Sequence, residues 1–521
     1  MDLIANLALG FDVALSFENV LYCFFGVLLG TLIGVLPGLG PTATIAMLLP
    51  VTFTLPPVAA LIMLAGIYYG SQYGGSTTAI LVNLPGESAS VVTAIDGYKM
   101  ARMGRAGPAL GIAAIGSFFA GCVATLVIGV FAPPLAELAL KFGPAEYFSL
   151  MVLGLVAAVV LAHGPFVKAL CMVVLGLLLG MVGTDVNSGV PRFNFGIPEI
   201  AENIDFVVIA MGLFGIAEIV VNLERTEHRD VSVAKVTRIL PTKEDLKLAW
   251  PSIVRGTALG SVLGILPGGG SLLASFASYT MEKKLARPPK HFGEGDIRGV
   301  AAPESANNAG AQTSFIPLLT LGIPSNPVMA LMIGAMILKG IVPGPMVMNE
   351  RPELFWGMIA SMWVGNLMLV ILNLPLIGMW IKLLTVPYRA LYPAILTFCC
   401  IGVYTLNNTE FNVYLMALFG LLGYVCAKLE CEPAPLILGF ILGPMMEEYL
   451  RRAMLLARRS DDLPGEAHQR RHAGGRRTAD ALHRVAGYPQ EARRSVPGVS
   501  RSVPWCTARS DAGRAVFTSR D

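Results

Sequence analysis

The chain has 521 residues, 54% of them hydrophobic and 14% charged, with a mean hydropathy of +0.64 and a formal net charge of +3. Soluble domains carry about 25% charged residues, so this is the composition of a polytopic membrane protein and not of a soluble or nucleic-acid-binding one. The 8 Cys are scattered, mostly through apolar runs, and read as small packing residues, with neither a disulfide framework nor a metal site among them.

Residues 1–18 form a short, mildly amphipathic stretch expected at the membrane interface. No Lys or Arg precedes the first apolar run, so a cleaved leader is not expected and the first segment would act as its own insertion signal. From Asn19 to Gly86 there is no charged residue. A helix crosses a bilayer in ~20 residues, so this run suffices for more than two crossings, yet Pro37, Gly38, Gly40 and Pro41 break it. Further charge-free runs cover Ala106–Ala136, Gly256–Met281, Ser305–Leu338, Leu354–Ile381 and Ala390–Thr409. With shorter runs between them they predict an all-α protein of roughly eleven or twelve membrane segments, some of them half-helices. Residues 19–222 form a first membrane half and 251–450 a second. The polar stretch 223–250 between them carries Arg225, Arg229, Lys235, Arg238, Lys243 and Lys247, and its basic residues place it in the cytoplasm.

The break recurs. Gly30, Gly34, Pro37, Gly38 and Gly40 fall on Gly260, Gly264, Pro267, Gly268 and Gly270 at an offset of 230. Pro85 then aligns with Pro324, Lys99 with Lys339, and Tyr147–Phe166 with Tyr392–Phe411. Paired interrupted segments in two halves point to a transporter's binding site. Val51–Pro57 has no basic residue while its counterpart Glu282–Arg298 has five; Lys99–Gly107 has three while the stretch after Lys339 has only Arg351. Opposite charge bias at matching loops predicts two inverted repeats with broken or re-entrant helices.

The last stretch, 451–521, holds 15 Arg, no Lys and 7 acidic residues without apolar periodicity, which predicts disorder. From about residue 459 it reads as the product of a shifted reading frame; a basic, lipid-touching tail is the alternative.

Several stretches together resemble the large membrane subunit of the bacterial tripartite tricarboxylate transporters. They are Gly34-Val-Leu-Pro-Gly-Leu-Gly40, Tyr73-Gly-Gly-Ser-Thr-Thr-Ala-Ile-Leu-Val-Asn-Leu-Pro-Gly-Glu87, Gly264-Ile-Leu-Pro-Gly-Gly-Gly270, Ala302-Pro-Glu-Ser-Ala-Asn-Asn-Ala309 and Leu321-Gly-Ile-Pro324, with Leu442-Gly-Pro-Met-Met-Glu-Glu448 late in the chain. The resemblance covers about residues 1–458. Relatives continue past the Arg451-Arg452 region into one more apolar segment, which this chain lacks. The resemblance implies a multi-pass protein of the bacterial inner membrane that is a carrier and not an enzyme. It implies a small membrane subunit and a periplasmic substrate-binding protein as partners, and a di- or tricarboxylate as substrate. Sodium, or alternatively protons, would be the coupling ion, with no other cofactor. The sequence has no Gly-x-x-x-x-Gly-Lys-Ser/Thr phosphate loop and no His-Glu-x-x-His motif. A stand-alone sodium:carboxylate carrier, or a channel, is the alternative reading.

A broken helix presents unpaired N–H groups and a positive dipole end at its second half, which suits a carboxylate. The substrate-binding candidates are therefore Gly38, Gly40, Thr42 and Thr44 in one half, Gly268, Gly269, Gly270, Ser271 and Ser275 in the other, and Ser325 and Asn326 at the second break. The alternative for these glycines is close helix packing. Asn83, Gly86, Glu87, Ser88, Glu304, Asn307, Asn308 and Thr313 are the candidates for cation binding through hard oxygen ligands. Lys99 and Lys339 are expected to snorkel, and His163 to make a structural hydrogen bond.

Overall fold

The computed structural model describes residues 3–36, 40–162, 164–185, 188–201, 203–224, 236, 239–266, 270–288, 290–383 and 388–461. Gly38, Gly268, Gly269 and His163, with nearly all of the tail, lie outside the described residues. The chain divides into two units, Met1–Met454 and Leu455–Asp521; of the second, 455–461 is described, as helix.

The first half contains α1 (Leu3–Ala14), α2 (Phe17–Gly34), α3 (Pro41–Leu48), α4 (Pro57–Val82), α5 (Val91–Met100), α6 (Ala106–Ala139), α7 (Pro144–Leu161) and α8 (Phe166–Gly180). A minimal antiparallel ribbon follows, β1 (Gly183–Thr184) against β2 (Pro191–Arg192), in the register Gly183 to Arg192. Then α9 (Phe206–Ala210) runs through a π-helical turn into α10 (Ala217–Glu224). The second half has α11 (Lys243–Ile265), α12 (Gly270–Leu285), α13 (Arg298–Thr313), α14 (Phe315–Leu321), α15 (Pro327–Leu338) and α16 (Met346–Glu350). It continues with α17 (Pro352–Asn373), α18 (Ile377–Leu383), α19 (Tyr388–Asn407), α20 (Glu410–Lys428) and α21 (Ala434–Asp461). Many of these helices open on proline: α3, α4, α7, α15 and α17 carry one in the first turn, where its missing N–H breaks no intrahelical bond. Among the described residues six helices are long and apolar enough to cross a membrane, and six shorter apolar helices accompany them. This is an all-α, multi-pass membrane protein.

Glycine sets how the helices pack. A methyl group added at Gly26, Gly30 or Gly34 on α2 would run into the backbone carbonyl of Met63, Ile67 or Ser71 on α4. Gly66, Gly70 and Gly74 of α4 lie in the same way against Cys23, Val27 and Thr31. The two backbones therefore touch, and their numbering rises in the same direction. Gly256, Gly260 and Gly264 on α11 meet the carbonyls of Ala302, Ala306 and Gly310 on α13 in the same manner, again with both numbers rising together. Small residues are what allow membrane helices to approach this closely.

The two pairs run in opposite directions. Ser76 of α4 hydrogen-bonds Glu304 of α13 at 2.7 Å, while Tyr69, further back on α4, lies tilted against Phe315 just beyond α13, 6.2 Å between centroids. Each pair includes a helix that turns back. The hydroxyls of Ser275 and Ser278 on α12 reach the carbonyls of Pro303 and Ala302, so α12 descends along α13. Its far end is tied to the start of α11 by Glu282, which accepts from Ser252 at 2.8 Å and from Arg255 at 2.7 Å. In the first half, α3 leads back to the loop whose Phe53 and Leu55 carbonyls accept from Lys339, both at 2.7 Å. Lys339 thus makes a specific contact across the halves.

The basic loops collect at one end. Lys99 donates to the Gly293 carbonyl, and Arg105 pairs with Asp245 at 2.5 Å. Asp96 on α5 is buried there. Its Oδ1 accepts backbone N–H groups of Gly293 (2.8 Å), Gly295 (2.8 Å) and Asp296 (3.0 Å), and its Oδ2 accepts the Tyr279 hydroxyl at 2.9 Å. Elsewhere, Arg192 and Arg451 are bound by Glu447 and Asp185, at 2.9 and 2.8 Å.

Replacing Gly30 or Gly260 with Val is expected to destabilise the fold by ~1–3 kcal/mol through overpacking. Gly129→Val, at a glycine with open space around it, is the control. Thermal unfolding in detergent reads this out; equal midpoints for all three variants would mean that the backbone contact does not set the packing.

Candidate binding cavity

The half-helix starts meet. Gly40, Pro41, Thr42 and Ala43 at the opening of α3, Gly270, Ser271 and Leu272 at the opening of α12, and Asn326, Pro327 and Val328 at that of α15 line one cavity of about 570 Å³. The loop from α4 to α5, Pro85–Ala89, closes the same space. The facing wall comes from the π-turn and α10 through Leu213, Phe214 and Ala217, and from Gly423 and Glu432 at the far end of the chain.

Local chemistry explains each start. Gly40 is extended and caps α3 without a side-chain hydrogen bond, so the first N–H groups of that helix keep their donor capacity. Gly270 opens α12 at a φ of +47°, a conformation that glycine adopts without strain. Asn326 caps α15: its Oδ1 accepts the Met329 N–H at 2.9 Å and its Nδ2 donates to Ser314 at 3.1 Å. Gly86 threads the loop between α2 and α4, where a methyl group would strike the Gly34 carbonyl and Gly75. Asn83 ends α4 in the left-handed region at φ 56°.

The cavity's electrostatics are unusual for an anion site. Glu87, Glu218 and Glu432 line it, and no Lys, Arg or His is among the described lining residues. Among the described lining residues positive potential comes from the helix N-termini, each worth roughly half a charge. Glu87 is 6% exposed and its Oε1 accepts from Asn307 Nδ2 at 2.6 Å. Asn307 Oδ1 is buried without a hydrogen-bond partner among the described residues. The Tyr68 hydroxyl faces Ser271 and Asn326 across the cavity wall.

The chain matches the model of the tripartite tricarboxylate transporter TctA family over residues 20–438. It belongs to that family. As a TctA-family chain it is a membrane transport component of a tripartite system, with a role in transport rather than catalysis, and it works with partner subunits. It is 64% identical over 458 residues to the uncharacterized 52.8 kDa protein in the TAR-I ttuC' 3' region of Agrobacterium vitis, covering 88% of this chain and 91% of that one. A second relative from the same organism, the uncharacterized protein in the TAR-II ttuC' 3' region, is 66% identical over 199 residues, 38% of this chain and 82% of its own. No solved structure matches the chain.

Of the TctA-chain residues singled out from sequence, the cavity brings together Gly40, Thr42, Gly270, Ser271, Asn326, Gly86, Glu87 and Ser88. Of the other described candidates, six are engaged elsewhere. Thr44 bonds back to the Gly40 carbonyl at 2.9 Å, Ser275 to the Pro303 carbonyl at 3.2 Å, and Ser325 to the Ser314 carbonyl at 3.3 Å. Glu304 is buried behind the cavity wall and held by Ser76 and Thr93; it lines a separate cavity of about 20 Å³ with Tyr73, Ser117 and Asn373. Asn308 donates to Ser117 at 2.7 Å, and Thr313 to the Ala309 carbonyl at 3.0 Å. Gln72 lines the main cavity and was not singled out from sequence. Its signal in the sequence is an amide inside a charge-free membrane run.

Asn326→Ala is expected to cost ~1 kcal/mol, the worth of a helix N-cap, and Asn326→Ser to restore most of it. Unfolding midpoints in detergent check this. An unshifted midpoint for the Ala variant would mean that the start of α15 is held by something other than its cap.

Proposed function

We propose that this chain is the carrier of a tripartite secondary transporter in the bacterial inner membrane. It imports a di- or tricarboxylate together with a cation, sodium foremost. A periplasmic binding protein delivers the substrate, and a small membrane subunit completes the membrane part. The observation that carries this reading is the cavity itself: helix N-termini converge on it, acidic side chains line it, and it holds no described basic one.

That combination makes the anion and the cation depend on each other. Two unit negative charges ~6 Å apart repel by about 3 kcal/mol at an effective dielectric constant of 20. A carboxylate at the starts of α3, α12 and α15 would feel that repulsion from Glu87. A sodium ion held by Glu87 and the open Oδ1 of Asn307 removes it. Each ion then binds better in the other's presence, and such coupling is reciprocal.

The glycine-ridged pairs supply the motion. We read α2–α4 and α11–α13 as inverted repeats, supported by their matched glycine contacts and opposite directions. The half-helices α3 and α12 turn back at opposite ends, with the cavity at their tips. Rocking one hairpin against the other would expose the cavity first to one side and then to the other. Basic loops that share one end support a cytoplasmic position for that end.

Labelled citrate and a panel of dicarboxylates, offered to proteoliposomes holding this chain and the small subunit, test the reading. Uptake is expected only with an inward sodium gradient and the soluble binding protein. Sodium-independent uptake would remove the cation assignment, and uptake without the soluble protein would make the chain a stand-alone carrier. Glu87→Gln is expected to lower sodium-driven uptake at least tenfold while leaving the chain folded; full sodium dependence in that variant would move the cation site away from Glu87.

A further inference from the structure

Gln72 sits on α4, whose buried face packs against α2 and α13. Its side chain is 1% exposed and lines the main cavity. Neither Nε2 nor Oε1 has a hydrogen-bond partner among the described residues. Polar groups buried this deeply are nearly always paired, and a group left unpaired costs the fold its desolvation. The Ser76 hydroxyl bonds to the Gln72 main-chain carbonyl at 3.1 Å and to Glu304 at 2.7 Å, and the Tyr68 hydroxyl is a polar group beside the amide.

An amide is a two-way reader: Nε2 offers hydrogens and Oε1 accepts one. A carboxylate placed against it satisfies Nε2 only and faces Oε1 with a second acceptor. A hydroxyl beside a carboxylate satisfies both, because it donates to Oε1 while the carboxylate accepts from Nε2. On the reading proposed above, the starts of α3, α12 and α15 would hold carboxylates in the cavity that Gln72 also lines, so a ligand anchored there would carry its middle carbons past the Gln72 wall. Tyr68, one helical turn away, adds a hydroxyl next to Ser271 and Asn326.

We propose that Gln72 is a specificity-determining residue that reads a hydroxyl group on the carboxylate substrate, so that the carrier selects hydroxy acids over their deoxy analogues. This rests on the reading of the cavity as a carboxylate site. A site built to pair a hydroxyl rejects the analogue without it, because the amide is then left unpaired in the complex.

The test uses full-length chain purified in detergent with saturating sodium. Two ligand pairs differ by a hydroxyl in place of a hydrogen: L-malate against succinate, and citrate against tricarballylate. Equilibrium binding is expected to favour the hydroxylated member of at least one pair by roughly 5- to 150-fold, the range for one buried polar group left unpaired. Gln72→Leu is expected to bring that ratio to about one, chiefly by weakening the hydroxylated ligand. Because the substitution removes an unpaired amide, its unfolding midpoint without ligand is expected to equal or exceed that of the parent chain.

Equal binding within both pairs in the parent chain would overturn the inference while leaving the carboxylate reading intact. Discrimination that survives Gln72→Leu would overturn it too, by assigning the selection to another residue. A lowered midpoint in the variant would show that the amide serves the fold. Absence of binding by all four acids would remove the carboxylate reading and this inference with it.

Discussion

Backbone-to-backbone contact between α2 and α4, and between α11 and α13, is the constraint from which the rest follows. Helices carrying ordinary side chains pack 8–10 Å apart; here Gly26, Gly30 and Gly34, or Gly256, Gly260 and Gly264, leave no room even for a methyl group. Such contact locks each pair in one register. It also fixes the depth at which α2 and α11 stop, at Gly34 beside Ser71 and at Gly264 beside Gly310. The chain must then turn back inside protein, because freed N–H groups cannot face hydrocarbon. The returning half-helices α3 and α12 consequently start at depth, with their dipoles directed at a shared space.

Around that space the polar groups divide into two kinds. One kind completes itself: Asn308 with Ser117, Gln312 with Thr125 at 2.7 Å, and Glu304 with Ser76 and Thr93. These bonds stitch α13 to α4, α5 and α6 and account for buried polarity without reference to any ligand. The other kind is left incomplete, namely the capless start of α3, the open Asn307 oxygen and the Gln72 amide. Polar groups left incomplete beside a cavity have pairing capacity to offer a ligand.

Much of this could be read from the residues alone. The recurrence of Gly30–Gly40 at Gly260–Gly270 located both hairpins, because an unwound membrane segment needs glycine and proline whatever surrounds it. The same local signal found Gly40, Thr42, Gly270, Ser271 and Asn326, which sit at the breaks themselves. One turn further on it failed, since a helix shows one face to a cavity and Thr44 and Ser275 point off that face into their own or neighbouring backbones. The acids separated for a related reason. Glu87 lies in a loop and reaches the cavity, whereas Glu304 lies on α13 with its carboxylate directed at α4 and α5. The wall built from Leu213, Phe214 and Gly423 left no trace in local pattern, because only tertiary packing brings those residues to the breaks.

The Asp96 carboxylate has a consequence for how the protein is made. Its backbone donors are supplied by Gly293, Gly295 and Asp296, about two hundred residues later in the chain. Glu87 likewise waits for Asn307, and Ser117 for Asn308. During synthesis the first half thus enters the bilayer with its acids and hydroxyls unanswered, and it can bury them only when the second half has emerged from the ribosome and been inserted. Assembly of the two halves is accordingly a late event, in which two half-built bundles close on each other's polar groups.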